Sequence, residues 1–431
     1  GVGGSEDLPI SYTWAMIGGA WALTFSFAIV LFAWRTPRFS GDAPGRPLPP
    51  WVTVPVESRA VRLVVAGFAL LLAAWITMAA FFGPNSEGNP FAGSVYVLLW
   101  VGLPVLSLLI GPIWRVISPI RTIHLALHRW RHPIDRYPRS WGYWPAAVGL
   151  FLFAWLELAS SEPDSVPALR VWLLAYIVVM LVGAFATGPL WLRRADPFDV
   201  FSVITSRLSP FRRNLSTGRL VAGNPMNTLQ TMPVRPGTVA VLAVLLGSTA
   251  FDSFTDFPQW TSFLDRLEAP GAETIATTVV LFDFVAIVAA TFWLAARATG
   301  GVDTRQRREL PGHMAHSLIP IVVGYVLAHY LSYLVERGQD TLVALGDPLG
   351  RGWNVLWLHD IQPAYVFAEH PGVLAGTKVV CVLAGHIVAV IAAHDRALRL
   401  LPRAHQRTGQ LAMMLTMVGY TFLGLYLLLG G

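Results

Sequence analysis

The feature that most constrains this chain is a series of long apolar runs, each bounded by glycine, proline or charge. A run of about 20 apolar residues is long enough to cross a bilayer as a helix, which satisfies its own backbone hydrogen bonds. The runs predict ten such helices, near 12–34, 61–82, 93–112, 143–160, 169–190, 237–257, 274–296, 313–335, 373–394 and 410–429. We therefore expect an all-α polytopic membrane bundle, with residues 1–431 forming one transmembrane domain.

Composition supports the same class. Only 13% of the residues are charged, whereas a globular chain has about 25%. This excludes a cytosolic enzyme, a disordered chain and a secreted domain built on disulfides, since Cys381 is the single cysteine. The basic pI of such a chain does not indicate nucleic acid, so we expect the lipid bilayer as a partner and no nucleic acid.

The positive charge is divided unevenly between the two sides of the predicted bundle. Thirty arginines and one lysine carry it, and alternate connections hold 26 of these 31 side chains. Because positive residues stay cytoplasmic, both termini are predicted to lie outside. The cytoplasmic connections then include a Pro-rich linker at 35–60, expected to be extended and semi-rigid, and basic loops at 113–142 and 191–236.

The first residues bear on the same orientation. The chain opens at Gly1 without an initiator Met. Removal of a secretory signal would leave the N-terminus outside, and trimming of the chain at this point is the alternative. The expected location is the cytoplasmic membrane, crossed several times.

A short sequence echo links two helix ends. Gly111-Pro112-Ile113-Trp114-Arg115 closes the third predicted helix, and Gly188-Pro189-Leu190-Trp191 closes the fifth. One interpretation is a duplicated two-helix unit, as in transporters built from parallel repeats. The other is that Gly-Pro and Trp-Arg pairs simply suit a cytoplasmic membrane boundary.

Several further motifs resemble one family across nearly the whole chain. They are Gly1-Val2-Gly3-Gly4, Asp7-Leu8-Pro9, Gly142-Tyr143-Trp144-Pro145, Trp155-Leu156-Glu157-Leu158, Asp196-Pro197-Phe198, Gly247-Ser248-Thr249-Ala250-Phe251-Asp252, His316-Ser317-Leu318-Ile319-Pro320, Gly324-Tyr325, Ala328-His329-Tyr330, Gly385-His386 and Ala393-His394-Asp395-Arg396. Together they resemble the bacterial integral membrane proteins called fenitrothion hydrolase-like. The resemblance implies hydrolysis of an organophosphate triester, and it carries no catalytic residue over to this chain.

Ionisable residues inside predicted spans are candidates for function, because a bilayer makes them costly. Asp252, Asp256, Asp283, His329 and His386 form such a set, with Glu157 near an outer helix end. Carboxylates and imidazoles together suit a divalent metal ion, with Zn, Mn, Fe and Cu not distinguished by the sequence. A hydrogen-bonded polar network between helices and a proton relay are the alternatives.

Helix geometry disfavours haem. His316 and His329 are 13 residues apart and so face nearly opposite ways on a helix. His386 and His394, eight apart, do not match two stacked haems either. A single haem between His329 and His386 is left open.

Depth suggests where the metal candidates meet. Asp252, Asp283, His329 and His386 are predicted to converge in one polar pocket in the outer half of the bundle, with Asp256 at its mouth. Separate burial of so many ionisable groups would cost several kcal/mol each.

These observations give three functional hypotheses. The first is a metal-dependent hydrolase of phosphotriesters or other esters, taking a hydrophobic small molecule from the outer leaflet. The second is a transporter of metal or a small solute. The third is an accessory subunit of a larger membrane complex.

Overall fold

The computed structural model describes residues 3–128 and 134–430. Helices account for 72% of the chain, which confirms the all-α prediction. Gly1 and Val2 of the opening motif, and Arg129 and Arg131 of the predicted basic loop 113–142, lie outside the described residues.

A helix lies at each of the ten predicted positions. They are α1 (Tyr12–Ala33), α2 (Arg59–Phe82), α3 (Pro90–Ile110), α4 (Trp144–Leu158), α5 (Val166–Thr187), α6 (Thr238–Phe254), α7 (Ala272–Arg297), α8 (Thr304–Leu345), α9 (Pro371–Leu400) and α10 (Thr408–Leu429). Among the described residues, eight of these are long and apolar enough to cross a membrane. A ninth span results if α6 is joined to the helix Pro258–Asp265, which is bent from it by 80°. The remaining helix, α4, has 15 residues.

The connections are more ordered than loops. They contain short helices at Ser5–Asp7, Pro50–Glu57, Trp114–Ile117, Pro119–Leu127, Arg139–Trp141, Leu190–Arg194, Pro197–Ser206, Pro225–Leu229, Val366–Glu369 and Arg403–His405. Strands β1 (Arg46–Pro47), β2 (Phe211–Arg213) and β3 (Leu220–Ala222) form a small antiparallel sheet in the order β1-β3-β2. The 35–60 segment is therefore paired to the 191–236 segment and contains a helix, where the sequence predicted an extended spacer.

Three long helices begin at serine N-caps. Ser11 accepts a hydrogen bond from the backbone N–H of Trp14, at the start of α1. Ser58 and Ser165 do the same at the starts of α2 and α5. Each serine oxygen satisfies one of the backbone N–H groups that have no partner in the first helical turn.

Two glycines end α3 and α5 with the same backbone turn. Gly111 has φ +109° and Gly188 has φ +103°, a region that side-chain-bearing residues rarely adopt. A short helix follows each turn, and Ser118 or Asp196 then caps the next one. The two similar sequence motifs thus also have a similar backbone conformation. Duplication of the whole two-helix unit stays a prediction.

The centre of the bundle is formed by α6, α8 and α9. Twelve residues of α6 are buried, and this helix packs against α4, α7 and α8. The backbones of α8 and α9 approach closely where Gly324 lies against Gly385 and the carbonyl of Cys381. Most side chains of α1, α2 and α5 are not buried, which suits helices that face lipid.

Candidate functional site

A polar cluster lies where α6 and α8 cross. The carboxylate of Asp252 on α6 accepts a hydrogen bond from His329 Nε2 at 2.7 Å and another from the Tyr330 hydroxyl at 3.0 Å. The Asp252 and His329 side chains are 23% and 16% exposed. Asp252 and His329 are therefore in direct contact and partly accessible, and the Asp252 carboxylate is held by both His329 and Tyr330.

The second nitrogen of His329 continues the chain of hydrogen bonds. Nδ1 lies 3.1 Å from Ser253 Oγ, and the Tyr325 hydroxyl donates to the same oxygen at 3.0 Å. With Nε2 protonated towards Asp252, Nδ1 must accept from the serine hydroxyl. The protons then run in one direction, from Tyr325 through Ser253 and His329 to Asp252, and we call these four residues the relay.

A second carboxylate flanks the relay. Glu157, near the end of α4, interacts electrostatically with Asp252 and with Asp164 of the following connection. Its Oε2 atom is buried, and no described residue donates a hydrogen bond to it. Tyr96 and Tyr333 lie within electrostatic range of both Glu157 and Asp164. The relay therefore ends in an acidic region with phenols around it.

The five predicted ligands do not share this site. Asp252 and His329 meet, but Asp256 is exposed and interacts with Lys378, and Asp283 is exposed on the outer face of α7. His386 is fully buried, with Nδ1 3.0 Å from the Thr421 hydroxyl. The predicted convergence in one pocket is wrong for Asp283, because the helical phase of α7 directs that residue away from the bundle.

The grouping of the possible ligand side chains bears on the predicted metal site. Within residues 3–128 and 134–430, no three His, Cys, Asp or Glu side chains are grouped so that they could hold a metal ion. Both ring nitrogens of His329 are engaged by Asp252 and Ser253, and a metal ion or haem iron would have to displace one of these bonds. Metal binding by any of the five residues stays a prediction.

A cavity of about 780 Å³ lies beside the relay, between α6, α7, α8, α9 and α10. Its wall is mainly apolar, with Phe254, Phe284 and Val288 among the lining residues. Tyr325 of the relay and Thr421, the partner of His386, both line it as well. Its volume is in the range of small-molecule sites, which are about 300–1,000 Å³, so the cavity suits an apolar ligand that meets a few hydroxyl groups.

Two members of the cluster were missed by sequence reasoning. Ser253 and Tyr330 each follow a predicted residue directly, and neighbours on a helix point about 100° apart. A search for one helix face therefore overlooks them. The doublets Asp252-Ser253 and His329-Tyr330 are the signal that was present.

Another buried acidic pair lies outside the spans, beside the helix Pro197–Ser206. Asp196 accepts hydrogen bonds from Trp114 Nε1 at 3.0 Å, the Tyr176 hydroxyl at 2.9 Å and a backbone N–H. Asp199 lies 3.6 Å from Arg115 Nε. Burial raises the pKa of Asp199 to about 7, while Arg115 acts in the opposite direction. The hydrogen bonds of Asp196 therefore hold the Asp196-Pro197-Phe198 motif in place.

Comparison of the chain with protein-family models, with curated proteins and with solved structures finds no match.

Proposed function

We propose that this membrane protein hydrolyses an ester, or a phosphotriester, of a hydrophobic small molecule that enters from the bilayer. The observation that supports this most directly is the ordered contact of Ser253, His329 and Asp252, at 3.1 and 2.7 Å. A serine, an imidazole and a carboxylate in this order form a nucleophile, its base and the group that orients the base.

Each relay residue has a defined part in the proposed reaction. Ser253 Oγ bonds to the carbonyl carbon or phosphorus as its proton passes to His329 Nδ1, and Asp252 stabilises the imidazolium. The leaving alcohol takes that proton as its ester bond breaks. Water then attacks the acylated or phosphorylated serine, its proton passes through His329, and the acid leaves with Ser253 restored.

The cavity supplies the apolar part of the proposed binding site. Ser253 is 2% exposed and Tyr325 is 3% exposed, and the tyrosine ring lines the cavity. The Tyr325 hydroxyl lies 3.0 Å from the serine oxygen, close enough to donate to an oxyanion that forms there. Access of the ester to Ser253 requires the Tyr325 ring to rotate aside.

Purified protein tests the proposal with aryl esters and aryl phosphotriesters of increasing chain length. Ser253→Ala and His329→Ala are expected to lower kcat by a factor on the order of 10⁶. An aryl fluorophosphonate should label Ser253, as read by peptide mass spectrometry. Ser248→Ala is the matched control, since Ser248 is also 2% exposed on α6 and bonds only its own helix.

Two results would overturn this assignment. Full activity of Ser253→Ala would exclude the serine as nucleophile. Loss of activity on chelation, with recovery on adding a divalent metal, would instead support the metal-dependent reaction predicted from the sequence.

A proton-coupled transporter of a small solute is the second candidate. It is favoured by the position of Tyr325, which lines the cavity and donates a hydrogen bond to the buried Ser253. Through Ser253 and His329, a chain of hydrogen bonds then leads from the cavity wall to the partly exposed Asp252. Uptake of an apolar solute into proteoliposomes, with proton movement, without turnover and abolished by Asp252→Asn, would establish it in place of hydrolysis.

A further inference from the structure

Four arginines lie at the end of the bundle opposite the relay, and the Tyr143 phenol is within electrostatic range of three of them, Arg194, Arg207 and Arg235. Arg115 belongs to the short helix Trp114–Ile117, Arg194 ends Leu190–Arg194, Arg207 follows Pro197–Ser206, and Arg235 precedes α6. We call them the arginine cluster. Arg235 lies 5.7 Å from the centre of the Tyr143 ring, and the charges of Arg115 and Arg235 act on Arg207.

The guanidinium groups keep unused donors. The Nε atoms of Arg115, Arg207 and Arg235 are buried, and no described residue accepts a hydrogen bond from them. Arg207 Nη1 donates to the Thr231 hydroxyl at 2.6 Å, which fixes the guanidinium plane. Buried donors without acceptors destabilise the folded state, and more so when the donor group is charged.

The cluster also has too little negative charge. Arg115 has Asp199 at 3.6 Å, but within the described residues no carboxylate is at ion-pair distance from Arg207 or Arg235. The residues outside the described ranges contain no Asp or Glu, so they supply no counter-charge either. Burial, together with the positive charges of Arg115 and Arg235, lowers the pKa of Arg207 to about 10, while the Tyr143 phenol acts in the opposite direction. The group therefore stays charged at neutral pH.

We propose that the arginine cluster binds a phosphate group through the free N–H edges of Arg115, Arg207 and Arg235. A guanidinium presents paired donors that match a phosphate oxyanion, and several at one point would supply the missing negative charge. The site is separate from the proposed hydrolysis at α6 and α8 and does not depend on it.

The surroundings fit a phosphate at a membrane surface. Trp141 and Trp144, on either side of the Tyr143 segment, are 43% and 53% exposed. Tryptophan and arginine together are typical of the membrane–water interface, and basic pockets at the cytoplasmic surface take anionic lipid headgroups. The same oxyanion chemistry would hold a free phosphate, so the two sources need separate measurement.

The experiment uses the full chain, one reference membrane and two probes. Thermal unfolding is measured in phosphatidylcholine nanodiscs, in nanodiscs that also contain phosphatidylglycerol, and in phosphatidylcholine nanodiscs with inorganic phosphate. Native mass spectrometry counts retained lipid. A lipid site predicts stabilisation and bound lipid with phosphatidylglycerol alone, whereas a free-phosphate site predicts stabilisation by inorganic phosphate.

Variants then locate the site. Arg207→Gln and Arg235→Gln are expected to weaken the bound probe at least about tenfold, corresponding to the loss of a charge-assisted hydrogen bond. Arg207→Lys, which keeps the charge but loses the planar fork, should fall between them and the unchanged chain. Arg219→Gln is the matched control, because Arg219 is exposed in the same 191–236 segment.

The outcomes are decisive in either direction. The proposal is overturned if neither probe stabilises the unchanged chain, or if Arg219→Gln weakens binding as much as Arg207→Gln. If Arg207→Gln fails to fold, Arg235→Gln decides by the same measurements.

Discussion

Replacing Gly324 with alanine tests how α8 and α9 are held together. A Cβ atom at this position would lie 2.6 Å from the carbonyl oxygen of Cys381 and 3.2 Å from the Cα of Gly385, where ordinary contacts begin at 3.4 Å. The nearest atoms are backbone and cannot rotate away. One helix must therefore move by most of an ångström, or the local packing must break.

The expected cost follows from that displacement. Forcing one extra carbon into a packed interior typically costs about 1–3 kcal/mol, and small residues matter most where helix backbones touch inside a membrane. Alanine favours a helix over glycine by about 1 kcal/mol, which offsets part of the cost. We expect Gly324→Ala to lower the free energy of unfolding by up to about 2 kcal/mol.

Thermal unfolding in detergent, with each variant measured beside the unchanged protein, gives the result. Gly376→Ala on α9 is the control, since a Cβ there meets nothing within 4 Å, and it should be neutral or stabilising. Gly324 precedes Tyr325, so turnover or ligand binding should also fall in Gly324→Ala. Equal stability of Gly324→Ala and Gly376→Ala would refute the argument from close packing.

Three further outcomes are expected. Asp283→Asn should leave activity unchanged while Asp252→Asn lowers it by a factor on the order of 10⁴, because Asp252 belongs to the relay and Asp283 is exposed on α7. An equal loss in both variants would contradict the site. The pKa of Asp199 is raised from 3.8 to about 7, so the folded state binds its proton more tightly, and stability should fall as pH rises from about 4 to 7. Asp199→Asn should flatten that slope in pH-dependent thermal unfolding, and an unchanged slope would exclude Asp199 as its source. An Arg305→Cys label site, made in a Cys381→Ser background, should react with an impermeant reagent only after permeabilisation, since Arg305 is 89% exposed on the predicted cytoplasmic side; labelling of intact cells would reverse the orientation.

The candidate site was partly predictable. Depth and chemistry along the apolar runs identified Asp252 and His329, and the structure brings them together at 2.7 Å. The same reasoning included Asp283, because position along a helix is visible in the sequence while its rotation against neighbours is not. A residue four or seven positions from an exposed one shares its face, but which face meets the bundle depends on the other helices.

The sequence by itself determined where the ten helices lie, since a long apolar run can satisfy its own backbone hydrogen bonds as a helix. It also determined that most arginines lie in alternate connections. Only the tertiary structure decided which polar groups meet. The relay joins residues 76 and 77 positions apart, and the arginine cluster draws on four separate elements. The relay contacts depend on how α6 and α8 rotate and approach each other, and the arginine contacts depend on how separate connecting segments meet. Both are set by packing over many neighbouring elements, so no single segment determines them.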